Sequence, residues 1–307
     1  MGKTGALVTE AYWRDGFLVQ RAVLSESILL PIQQVIERYV DSHLRDLHAA
    51  GRVADLHEAE PFGRRLAAAY EGTDLTVRKW HSFLFCRELY ALARHPGILS
   101  TLEAILGPEI TFHGDFQLMP KLPGSEVAAF PWHQDTQYYG VPSRDMHVVT
   151  VWIPLVDVNE ENGCLLVMPG SHRWGLLEGI RGPDLNIRPL EDIEKRGTPL
   201  AMPMRRGDVL FLTNLTFHAS RTNRMRTLRW SLDFGYSATP GSRTLTAGEQ
   251  ASYDFLYGWL PQVGRTPLVV RSADPAREET WDAWLAKRTH QLRRIAGRRA
   301  LPALANL

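Results

Sequence analysis

Residues 131–138 read Pro131-Trp132-His133-Gln134-Asp135-Thr136-Gln137-Tyr138, and how this stretch is read decides the fold. It sets a His-x-Asp pair in a run of aromatic and strand-forming residues. Side chains on a β-strand alternate faces, so a strand over about 128–135 is expected to point His133 and Asp135 the same way. An imidazole nitrogen and a carboxylate oxygen aimed at one point supply two of the three donors of a facial set. With a second histidine and open positions, that set suits a non-heme ferrous centre of the oxygenase kind. A second pair, His113-Gly114-Asp115, has the same spacing in another strand-like run. Spacing alone leaves both pairs open.

Outward from this stretch the apolar pattern keeps a period of two. Candidate strands are 109–119, 128–135, 147–155, 163–168, 199–203, 208–218 and 227–237, separated by Pro-Gly, Asn-Gly and Arg-Gly-Asp turns. Residues 16–24 read as a further strand. Helical patterns cover 25–50, with Ser25 as N-cap and Ile28, Ile32, Val35 and Val40 on one face, then 87–106, closed by Gly107-Pro108, and 272–300. The arginines 293, 294, 298 and 299 make the last of these basic, which reads as a solvated face. Strands crowded between helices predict a mainly β fold with flanking helices, an antiparallel barrel or jelly roll with its core over about 109–237, in one domain over 1–307.

The chain has 307 residues, 44% apolar and 22% charged, with a net charge of +1. That balance gives no reason to expect nucleic acid or an anionic membrane as partner. Cys86 and Cys164 are the two cysteines, and neither forms a Cys-x-x-Cys pair, so a disulfide scaffold or thiolate zinc site is not expected. No stretch approaches the roughly 18–20 apolar residues of a membrane span, and no leader pattern opens the chain, so a cytoplasmic protein is expected.

Context separates the two pairs. Downstream of His133 come the apolar strand 148–155, then Asn162-Gly163 and Pro169-Gly170-Ser171-His172. His218 follows at the end of the 208–218 strand, and Arg229 stands eleven residues beyond it. The segments WHQD (132–135), VWIPLVDVNEENGCLLVMPGSH (151–172), RRGDVLFLTNLTFH (205–218) and HASRTNRMRTLRWS (218–231) together resemble the phytanoyl-CoA dioxygenase family of Fe(II)/2-oxoglutarate oxygenases, over about residues 9–240.

The resemblance implies a double-stranded β-helix of the cupin-like kind, with His133, Asp135 and His218 as metal ligands. It implies Fe(2+), 2-oxoglutarate and O2 as cofactor and cosubstrates, and a small-molecule substrate oxidised at a C–H bond, with biosynthetic tailoring by a monomer or homodimer as the expectation. Arg229 falls on the family arginine that binds the 2-oxoglutarate C5 carboxylate, and its planar fork suits bidentate pairing. Ser231, on the same strand face, could add a hydroxyl. Gln117 and Trp152 stand where relatives place cosubstrate contacts. Tyr138 and Tyr139, with Trp80 and His81 of the 79–83 segment, are candidates for the substrate pocket. Asp135 argues for hydroxylation over halogenation, because halogenases of the superfamily carry Gly or Ala there. The 172–202 segment is long for a barrel connection and reads as a lid or a surface insertion with its own short helix. The rivals are a metabolite-binding barrel without catalysis and a Mn or Zn cupin-type isomerase with an additional ligand.

Overall fold

Alternation along the strands sorts their residues onto two faces. In β4 (Val149–Pro154), Val149, Val151 and Ile153 pack toward the helices, whereas Trp152 packs into a second apolar cluster with Met119, Leu165, Val167, Met202, Leu210 and Leu212. β11 (Arg229–Ala238) behaves likewise, with Trp230, Leu232, Phe234 and Tyr236 in the helix-side core. The computed structural model describes residues 3–77, 80 and 86–296.

Two antiparallel sheets result. The larger has six strands in the order β1 (Phe17–Gln20), β9 (Val209–Thr213), β4, β11, β2 (Ile110–Lys121) and β12 (Leu268–Arg271). The smaller has the order β3 (Phe130–His133), β10 (His218–Ser220), β5 (Leu165–Val167) and β8 (Leu200–Met202), and β6 (Gly179–Arg181) with β7 (Ile187–Pro189) forms a hairpin apart. Helices α1 (Lys3–Asp15), α2 (Glu26–Ala49), α3 (Arg65–Tyr70), α4 (Arg87–Ala93) and α5 (Pro96–Leu106) precede most of the strands. The short α6 (Asp135–Tyr139) interrupts them, and α7 (Ala247–Trp259) and α8 (Trp281–Ala296) follow β11. The buried face of α2 is Leu29, Ile32, Ile36, Val40 and Leu44, one helical stripe. No described helix is long and apolar enough to cross a membrane.

Several expectations differ from the structure. The strand carrying His133 ends there, and Asp135 opens helix α6, so the two side chains do not share a strand. The run 208–218 is two strands in different sheets, split by the turn at Asn214–Phe217, whose buried Asn214 amide bonds Val148 N, Met146 O and Thr136 Oγ1. The 87–106 helix breaks at Pro96, which lacks the N–H a continuous helix needs and instead starts α5, with His95 Nδ1 accepting from Gly97 N. Ser25 does occupy the N-cap position of α2, but its hydroxyl bonds Ser27 Oγ and makes no cap hydrogen bond. The basic end of the last helix lies partly outside the described residues, and a turn at Pro275 delays the start of α8 to Trp281. The 172–202 segment holds the β6–β7 hairpin and two 3-10 turns.

Candidate metal centre

His133 and His218 are direct register partners across β3 and β10, and their ring centroids lie 4.2 Å apart. Nδ1 of His133 faces Pro131 O at 2.7 Å, and Nδ1 of His218 faces Thr216 O at 3.0 Å. A carbonyl only accepts, so Nδ1 carries the proton in both rings and Nε2 keeps its lone pair. Asp135 Oδ1 lies 4.0 Å from His133 Nε2 and 3.6 Å from His218 Nε2. Its other oxygen, Oδ2, accepts from Thr150 Oγ1 at 2.5 Å. Among the described residues this is the group of three or more His, Cys, Asp or Glu whose donor atoms, within 4.8 Å of one another, could hold a metal ion. Two neutral imidazole nitrogens and one carboxylate oxygen make a set that suits a divalent first-row metal with open positions.

What keeps Asp135 in place despite the end of the strand is α6. Gln134, fully buried, donates to Gly175 O and Leu215 O and accepts from Leu177 N, while its backbone N–H donates to Gln137 Oε1. Thr136 N donates to Asn214 O, which ties the helix to the turn before His218. The loop after β5, the helix carrying the carboxylate and the strand carrying the second histidine are thereby fastened together.

The three candidate donors line a cavity of about 340 Å³ between the sheets. Arg229 stands at one end. It is 1% exposed, its guanidinium lies 5.5 Å over the Trp152 ring, and among the described residues its polar bond is Nη1 to Gly163 O at 3.4 Å. No carboxylate pairs with it among the described residues. Burial lowers its pKa to about 10, which still leaves it charged at neutral pH. Arg229 Nε, Ser231 Oγ and Trp152 Nε1 are all buried without a hydrogen-bond partner. Orphaned polar atoms grouped around a buried cation mark a place built for an anion.

Gln117, Trp152, Tyr138 and Tyr139 all line the cavity. Ser231 is buried two residues from Arg229 along β11. The Tyr138 ring stands edge-on to His133 at 5.3 Å, and its hydroxyl accepts from Ile187 N of the hairpin. Arg181, from the same hairpin, sits 5.7 Å over the Tyr138 ring and lines the cavity. Trp80 goes elsewhere: it packs against Tyr39, His43 and Trp230 in the helix-side core, because its apolar ring fits the gap between α2 and the outer face of β11. His81 lies outside the described residues. His113 is at the far end of the cavity, fully buried, with Nε2 bonded to Ser237 Oγ at 3.0 Å. His172 bonds the Trp13 carbonyl and takes no part in the converging group.

Several lining residues escaped the sequence reading. Thr150, Ser220 and Asp233 each lie two residues along a strand from a residue already singled out, so extending the period of two reaches them. Trp259 closes α7 and Arg265 lies beyond it, where no strand period leads.

Two histidines and one carboxylate converging between facing antiparallel sheets, with a buried arginine in the same cavity, define the class as a fold with a candidate mononuclear metal centre. Residues 12–229 match the family described as Phytanoyl-CoA dioxygenase (PhyH), and the chain belongs to that family. It is 26% identical over 228 residues to the peroxisomal phytanoyl-CoA dioxygenase of Bos taurus, covering 71% of this chain and 64% of the bovine one. The chain thus spans somewhat under two thirds of that relative's length. It is 30% identical over 193 residues to 1-deoxypentalenic acid 11-beta-hydroxylase of Streptomyces exfoliatus, covering 57% and 67%. Among solved structures, the non-heme monooxygenase ThoJ superposes with a TM-score of 0.57 at 20% identity, covering 95% of this chain and 100% of that one. EctD from S. alaskensis, solved with 2-oxoglutarate and 5-hydroxyectoine, gives 0.54 at 20%, covering 78% and 76%. These likenesses are of fold.

Proposed function

We propose that this protein is an Fe(II)- and 2-oxoglutarate-dependent oxygenase that hydroxylates or otherwise oxidises a C–H bond of a small metabolite, on a double-stranded β-helix formed by the two sheets as one catalytic unit. The observation that carries this reading is a single cavity holding both the His133, Asp135 and His218 donor set and the buried, unpaired Arg229. A three-ligand centre leaves positions for a chelating cosubstrate, and the guanidinium supplies the counter-charge for its distal carboxylate.

Iron and 2-oxoglutarate, when bound, supply the oxygen activation, with succinate and carbon dioxide as coproducts. The chain's own residues do the rest. His133 and His218 present neutral Nε2 atoms, fixed by the Pro131 and Thr216 carbonyls. Thr150 restricts Asp135 to one free oxygen. Arg229, with Ser231 and Trp152 beside it, orients the cosubstrate, and Gln117 lines the wall between that end and the metal. Tyr138 and Tyr139 face the substrate side, screened from water by the hairpin that bonds Tyr138.

A metabolite-binding barrel without chemistry has no use for an open metal face with a charged arginine behind it. An isomerase of the cupin kind wants a fourth protein donor, and the described cluster has three. The test is anaerobic addition of Fe(II) and 2-oxoglutarate to the purified protein, followed by admission of O2. A weak visible charge-transfer band and slow succinate release are expected. Neither signal appearing would overturn the reading.

A further inference from the structure

Thr111 and His113 stand two residues apart on β2 and share a face, beside Ser237 of β11 and Tyr257 of α7. Their side chains form a hydrogen-bond chain whose direction can be followed from one end. Thr111 Oγ1 donates to Thr239 Oγ1 at 3.0 Å, so it can only accept from the Tyr257 hydroxyl that also bonds it. A hydroxyl has one proton, and that of Tyr257 is thereby spent. The 2.9 Å bond between Ser237 Oγ and Tyr257 therefore runs from the serine. Ser237 in turn accepts at 3.0 Å from His113 Nε2, which carries the imidazole proton. Nδ1 of His113 is left with a bare lone pair. It is buried without a partner among the described residues, on a ring that lines the same cavity as the candidate metal donors.

We propose that His113 Nδ1 is a substrate-binding acceptor, taking a hydrogen bond from a neutral hydroxyl group carried on an apolar ring or chain. The inference rests on the oxygenase reading above and deepens it by naming the chemistry of the substrate. A buried acceptor without a donor is costly, and a bound donor recovers that cost. Burial first and then the Arg265 charge lower the His113 pKa to about 3, so the ring stays neutral and keeps its lone pair. The same charge repels an ammonium, which leaves a neutral donor to meet Nδ1. Tyr139 and Trp259, with ring centroids 6.5 Å apart, line the cavity and supply apolar faces for the substrate body. Gly235 keeps the approach to the ring: a Cβ there would lie 3.1 Å from Nδ1 and 3.7 Å from the Tyr139 hydroxyl oxygen. Gly235 is also the register partner of Thr150, which bonds Asp135 Oδ2. A hydroxyl anchored at Nδ1 thus brings the carbons attached to it alongside the strand that orients the metal centre's carboxylate.

The experiment is nitrogen NMR of the full chain with labelled histidines, loaded with 2-oxoglutarate and with Zn(II) in place of iron. The probes are linear and cyclic alcohols of four to eight carbons, each paired with its methyl ether. His113 should show the Nε2–H tautomer, and the alcohols should move its Nδ1 signal. They should bind roughly three- to tenfold tighter than their ethers, the range one hydrogen bond carries. His113→Phe should erase that preference, and so should Gly235→Ala, whose methyl group takes up the approach to Nδ1. If His113→Phe does not fold, Gly235→Ala decides alone. An Nδ1–H tautomer, equal binding of alcohols and ethers, or a preference that survives in either folded variant would overturn the proposal. His133 and His218 signals that ignore Zn(II) would instead overturn the metal-centre reading on which it rests.

Discussion

His218 Nε2 lies 3.6 Å from Asp135 Oδ1, although the first residue opens a strand of the smaller sheet and the second opens a helix. The approach comes from two fastenings. One is the strand register that sets His218 opposite His133. The other is the buried Gln134 and Asn214 amides, which pin α6 to the turn before β10. The candidate donors are thus set by strand register and by hydrogen bonds between separate segments.

His133→Ala removes one of three donors from this centre and is expected to abolish the Fe(II)- and 2-oxoglutarate-dependent visible band. His113→Ala is expected to leave that band in place, because His113 Nε2 is engaged by Ser237 and takes no part in the converging group. Parallel anaerobic spectra of the two variants check this. A band lost in His113→Ala and kept in His133→Ala would reverse the choice between the two pairs.

Thr150→Val keeps the shape of the side chain and deletes the hydroxyl that holds Asp135 Oδ2. Partners of this kind orient a ligand without touching the metal, and their loss typically weakens metal affinity roughly 10–100-fold. Competition with a chelator should place the variant's Fe(II) affinity in that range below wild type. An unchanged affinity would mean that α6 alone orients the carboxylate.

The sequence carried the sheet-forming half of the molecule well. A period of two marks which residues of β4 and β11 face the helices, since alternation on a half-buried strand follows from the pleat alone. It carried the centre less directly. The spacing of His133 and Asp135 suggested one strand, yet the chain turns into α6 between them. The two residues converge because Gln134 finds backbone carbonyl partners far along the chain, at Gly175 and Leu215. Such pairings have no local signature. Trp80 was misplaced for a related reason: an aromatic beside polar residues looks the same in sequence whether it lines a pocket or packs on Tyr39 and Trp230. Helix α7, by contrast, has a legible start. Thr246 Oγ1 accepts from Glu249 N, and Glu249 accepts from Thr246 N, as a Thr-x-x-Glu capping box.

Arg229→Met replaces a fully buried, unpaired guanidinium with an apolar chain of comparable length. Removing an isolated buried charge relieves its desolvation, so the ligand-free variant should melt a few degrees above wild type. Wild type should gain melting temperature on adding 2-oxoglutarate with a metal, and the variant should gain none. Thermal melts with and without the 2-oxo acid read both effects. A variant that melts lower and still responds to 2-oxoglutarate would remove Arg229 from the anion-binding end.

His113 gives the molecule a pH response of defined sign. Burial, and then the Arg265 charge, lower its pKa to about 3, whereas an unfolded histidine titrates near 6.5. Between those values the unfolded chain binds a proton that the folded chain refuses. Stability from this group is therefore complete above about pH 6.5 and is lost as pH falls toward 3. His113→Gln removes the titration and keeps a side-chain donor toward Ser237. Between about pH 7.5 and 4.5, wild type should lose roughly 2–3 kcal/mol more stability than the variant, measured from urea midpoints at each pH. Parallel pH profiles would mean that His113 accepts a proton without disturbing the fold. That outcome would require solvent to reach the far end of the cavity, where Gly235 and the Ser237 hydroxyl now close around the ring.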